Sequence, residues 1–75
     1  GTLGKRIAYH RKRLGMTQEQ LAQRVGVSAQ AVSKWETGTA DPTTSNLLAL
    51  AKLFGVSAEE LLRSVEERAP ERENS

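Results

Sequence analysis

Only Gly26, Val27 and Ser28 separate two stretches of helical sequence, and this short link constrains the fold more than any other feature. The stretch before it carries Leu21, Ala22 and Val25 and stops at Gly26, a residue that takes the left-handed backbone of a helix end at no steric cost. The stretch after it opens on Ser28, whose hydroxyl can cap a helix N-terminus. A connection this short forces the two helices to meet at a sharp angle and to share one interior. The demands of that geometry can be checked by position. Ala22 falls where the axes come closest and must be small, and Leu21, Val25, Val27, Val32 and Trp35 must face inward. Neither stretch has an internal proline to break it.

The rest of the chain is punctuated in the same way. A first helix is predicted from Leu3 to Leu14, with Leu3, Ile7, Arg11 and Leu14 on one face and Gly15 as its stop. The second opens at Thr17, with Gln20 three residues on completing a capping box. The third runs from Ser28 to Thr37 before Gly38, and the turn Gly38-Thr39-Ala40-Asp41-Pro42 follows. A fourth starts at Thr43 or Thr44, carries Leu47, Leu50, Ala51, Leu53 and Phe54, and stops at Gly55. The fifth is capped by Ser57 with Glu60 in the capping-box position, holds Leu61 and Leu62, and extends toward Val65. No segment alternates as a strand does, so the expected class is all-α: one compact five-helix domain over residues 1–65. Residues 66–75 hold little that is apolar besides Ala69 and Pro70, and are read as a charged flexible tail or linker.

Composition removes several classes of function. There is no cysteine, which excludes a disulfide framework and fits a reducing, cytoplasmic setting. The single histidine, His10, cannot build a metal site alone and is read as a surface residue beside Arg11-Lys12-Arg13. The longest apolar run, Leu47–Ala51, is far short of the ~20 residues that span a bilayer. No secretory signal opens the chain; it begins on Gly1 without an initiator methionine, as a piece of a longer protein would. The Glu59-Glu60 pair is favourable charge at a helix N-terminus, not a catalytic pair. With no nucleophile–base set and no phosphate-cradling glycine loop, neither an enzyme nor a bound cofactor, metal or small molecule is expected.

Charge and the third helix point elsewhere. Residues 1–40 hold seven basic side chains against two acidic ones, a net of +5, whereas residues 41–75 hold four against seven, a net of −3. One end of the molecule therefore attracts a polyanion. With Val32 and Trp35 turned inward, Ala29, Gln30, Ser33, Lys34 and Thr37 lie on the outer face of the third helix, polar and free of acids. An ordinary exposed face carries several Glu and Lys; a face that enters the major groove of DNA needs hydrogen-bonding groups and no acid to repel phosphates. Gln30 suits adenine N6 and N7, Lys34 guanine O6 or N7, and Ala29 a thymine methyl.

The run Thr17-Gln18-Glu19-Gln20-Leu21-Ala22, then Val25-Gly26-Val27-Ser28, then Val32-Ser33-Lys34-Trp35-Glu36-Thr37-Gly38 closely resembles the Cro/repressor-type (XRE) helix-turn-helix family. The likeness continues through Pro42, Leu47, Leu50, Ala51 and Phe54-Gly55-Val56-Ser57 to Leu61-Leu62, so it covers most of the chain. It implies a lambda-repressor-like DNA-binding domain in a bacterial or phage transcriptional regulator, in the first instance a repressor. By the same resemblance, Ala29, Gln30, Ser33 and Lys34 match base-reading positions, and Gln18, Ser28, Thr37 and Thr39 match phosphate-contacting ones. Arg11 and Glu36 match a buried structural ion pair between the first helix and the end of the third. The family's strongest readers often place a long side chain where this sequence has Ala29. A single domain makes few contacts, so a homodimer on a two-fold operator is expected, with its interface around Leu62 and Val65. The alternative is a protein-interaction or antitoxin-like adaptor that kept the fold; a small polar reading face without an aromatic anchor argues against it.

Overall fold

The computed structural model describes residues 2–63. They form α1 (Thr2–Arg13), α2 (Gln18–Val25), α3 (Ala29–Thr37), α4 (Thr44–Phe54) and α5 (Ala58–Leu62), with no strand among the described residues. Val65 and the segment 66–75, read from sequence as interface and tail, lie outside the described residues.

Side-chain caps start four of the helices. The hydroxyls of Thr17, Ser28, Thr43 and Ser57 accept from the backbone N–H three residues on, satisfying a donor that the helix itself leaves unpaired. At Thr17 the capping box is complete, since Gln20 Oε1 also accepts from the Thr17 N–H at 2.9 Å. Gly26 ends α2 at φ 89° and reverses the chain toward α3.

The core is one cluster of Ile7, Leu21, Ala22, Val32, Trp35, Leu50, Ala51, Phe54 and Leu61. Val25 and Val27 are half-buried against it, so the α2–α3 connection is held by apolar contact from both sides. α1 is the central strut and packs on α3, α4 and α5.

That central role corrects two expectations. His10 is not on the surface: it is 4% exposed, and its ring stacks on Phe54 of α4 at 5.1 Å with 23° between planes. A helix touching three others is buried over a wide arc, and His10 and Arg6 fall inside that arc with Ile7. Leu14 is not on an inward face: it is 49% exposed. The helix ends at Arg13, and Met16 returns from the turn to pack against the core.

Candidate nucleic-acid interface

With Val32 and Trp35 locked in the core, α3 presents its other side outward. Gln30, Lys34 and Thr37 are exposed, while Ala29 and Ser33 are half-buried. Ala29 leans on the core cluster and offers only part of its methyl surface. Ser28 stands at the head of this helix, its Oγ accepting from the Ala31 N–H at 3.1 Å. The remaining free N–H groups of a helix start attract anions.

The carboxylate of Glu36, on the last turn of α3, collects donors from two other helices. Arg11 donates from Nε to Oε2 at 2.7 Å and from Nη2 to Oε1 at 3.1 Å, a two-pronged match of guanidinium to carboxylate. The third prong, Nη1, donates to the Met16 carbonyl at 2.8 Å and fixes the α1–α2 turn. Gln18 Nε2 donates to Glu36 Oε1 at 3.0 Å. Both members of the ion pair are largely out of solvent, with side-chain exposures of 12% and 8%. The network cancels the one acid on α3, and it holds the Gln18 amide at the head of α2 with a second N–H still to give.

Past α3, the Thr37 hydroxyl donates back to the Ser33 or Lys34 carbonyl, at 3.1 and 3.3 Å. Its oxygen lies 3.0 Å from that of Thr39. These hydroxyls are satisfied internally, so a phosphate would be met by rotating them outward.

The basic side chains of residues 1–40 divide into two groups. Arg6 Nη2 donates to Glu60 Oε2 of α5 at 2.6 Å, and Arg11 is committed to Glu36. Lys5, Lys12, Arg13, Arg24 and Lys34 are exposed. The basic first helix thus has three cations for a polyanion where its sequence has five. His10 adds none. Burial lowers its pKa, the Arg6 and Arg13 charges lower it further, Glu60 opposes them, and neither ring nitrogen has a partner or reaches solvent. A phosphate contact from His10 is ruled out by that burial.

Sequence reasoning missed the Arg6–Glu60 pair, the Gln18–Glu36 bond and the close packing of Gly4. A signal existed for the last, because glycine inside a helix is costly and usually marks a close approach. Among the described residues no group of His, Cys, Asp or Glu is placed to hold a metal ion, and no helix is long and apolar enough to cross a membrane.

A short helix with a polar outer side, seated by a three-residue turn and flanked by exposed cations, is what a helix-turn-helix reader requires. The sequence profile of the helix-turn-helix family matches residues 7–61. The chain belongs to the XRE-type helix-turn-helix family. It is 42% identical over 69 residues to the HTH-type transcriptional regulator DicA of Escherichia coli, covering 92% of this chain and 51% of DicA. It is 43% identical over 61 residues to repressor protein C2 of Salmonella phage P22, covering 81% of this chain and 28% of that repressor. The chain therefore spans about half the length of the first relative and under a third of the second. Among solved structures, the P22 c2 repressor in complex with a synthetic operator superposes with a TM-score of 0.80 at 41% identity, covering 84% of this chain and 96% of that one. Within this family frame, α2 and α3 are the two helices of the motif.

Proposed function

We propose that this domain binds double-stranded DNA sequence-specifically and serves a transcriptional regulator, with α3 lying in the major groove. The observation that carries the proposal is the outer side of α3: Gln30, Lys34 and Thr37 exposed, no unpaired acid among them, on a helix fixed by Val32 and Trp35. Relatives named as regulators and repressors, one of them in complex with an operator, support it.

In this reading Gln30 and Lys34 reach base edges in the groove. Ser33 and the accessible part of Ala29 make the smaller contacts beside them. Gln18 and Ser28 hold the phosphate at the heads of α2 and α3, and Thr37 and Thr39 meet the backbone beyond α3. Lys5, Lys12 and Arg13 add cations alongside. The protein works as a homodimer on a two-fold-related site in the bacterial or phage-infected cytoplasm, and Leu62, 55% exposed at the end of α5, belongs to the dimer contact.

The direct test is a titration of the chain with duplex DNA over a series of salt concentrations. Affinity is expected to fall steeply with salt, in proportion to the phosphates neutralised. Affinity that is absent, or flat with salt, would contradict the proposal.

A further inference from the structure

One residue of α1 meets the reading helix through backbone alone. Gly4 is buried, and a Cβ placed on it would run into the carbonyl oxygen of Trp35, with the Glu36 carbonyl oxygen at 2.7 Å and carbon at 2.9 Å. All three are backbone atoms of the last turn of α3, which cannot swing aside as a side chain can. Gly4 and Arg11 are seven residues apart, two helical turns along the same stripe of α1. One presses on the backbone of α3's last turn and the other grips the Glu36 side chain. The next residues in the chain are Thr37, Gly38 and Thr39.

We propose that Gly4 is a positioning residue for DNA binding: its bare Cα lets α1 seat against the end of α3 and sets where Thr37 and Thr39 meet the DNA backbone. The proposal rests on the DNA-binding reading above. A methyl group at this position forces α1 and α3 apart, and the displacement is delivered to the segment just past α3. Alanine favours helix over glycine, so the substitution does not weaken α1 itself. Any loss comes from the contact.

The test compares the unsubstituted chain, Gly4→Ala and Leu53→Ala. Leu53 is half-buried on α4 against the core, is none of the residues assigned to DNA contact, and its truncation supplies a general loss of stability. Duplex DNA selected by the unsubstituted chain is titrated with each protein at several salt concentrations, at a temperature where circular dichroism shows all three folded. Gly4→Ala is expected to bind about tenfold more weakly, with a salt slope shallower by about one phosphate. Leu53→Ala, folded but less stable, is expected to match the unsubstituted chain in both. Should Gly4→Ala not fold alone, trimethylamine N-oxide is added to every sample to favour the compact state, and the same comparison applies. Equal affinity and equal slope for Gly4→Ala and the unsubstituted chain would overturn the role of Gly4 and leave DNA binding standing. Failure of the unsubstituted chain to bind any duplex in a salt-dependent way would overturn both.

Discussion

Three donors converge on the carboxylate of Glu36, two from Arg11 and one from Gln18, in a place largely closed to water. Removing the acid leaves a guanidinium with no partner for two of its prongs, and the cost of stranding a buried charge exceeds the worth of the pair itself. Glu36→Ala is therefore expected to lose about 3 kcal/mol in urea unfolding, whereas Arg11→Met combined with Glu36→Leu recovers most of that loss. A second residue sets the response to pH. Burial, with Arg6 and Arg13 adding to it and Glu60 opposing, keeps the folded pKa of His10 below its ordinary 6.5. As pH falls through 6.5 the unfolded chain takes up a proton that the folded one refuses, so stability falls with pH there and levels off below the folded value. His10→Phe is expected to flatten the stability profile between about pH 5.5 and 7.5, measured by urea unfolding at each pH; an unchanged slope would contradict the burial argument. The two environments do not follow equally from sequence. Arg11 lies four residues after Ile7 on the apolar stripe, which pointed it inward. His10 sits among cations, and only the packing of α1 on three helices shows that it is enclosed.

At the scale of elements, the chain's punctuation was the most legible part. The caps Thr17, Ser28 and Ser57 and the stops Gly26, Gly38 and Gly55 all stand at the residues read from sequence, because capping is a local hydrogen-bond problem solved within four residues. The fate of α1's long polar side chains was not local. Arg6 reaches Glu60, more than fifty residues away, and nothing in the spacing of α1 foretells it. Leu14 misled for a related reason, since helical spacing says which face a residue shares but not where the body beneath that face ends. The α2–α3 turn offers a clean measure of backbone strain. Gly26 stands at φ 89° with open space where a Cβ would go, so Gly26→Ala suffers the left-handed backbone penalty and no clash. A loss of about 1–2 kcal/mol is expected by thermal or urea unfolding, and no loss would mean that the turn relaxes to another conformation.

For the whole molecule, the division of charge takes on a more specific form. The sequence of residues 1–40 carries +5, yet two of its arginines are consumed inside the fold: Arg6 fastens α5 to α1, and Arg11 fastens α3. Within residues 1–40 the cations left to meet a polyanion are Lys5, Lys12, Arg13, Arg24 and Lys34, and of these only Lys34 stands on α3 itself. Under the proposed function, affinity and discrimination fall to different groups, scattered cations for the first and the outer side of α3 for the second. The fold and its helix-turn-helix were visible in the sequence. The base-reading roles of Ala29, Gln30, Ser33 and Lys34 remain the proposal on which the functional account depends. Selection of binding sites from random duplex DNA, run in parallel with the unsubstituted chain and with Gln30→Ala, tests it most directly. The expected result is a defined half-site for the unsubstituted chain and, for Gln30→Ala, the same half-site with preference relaxed at one position by about 1–3 kcal/mol. A uniform loss of affinity across all sequences, or no enriched sequence for the unsubstituted chain, would contradict it.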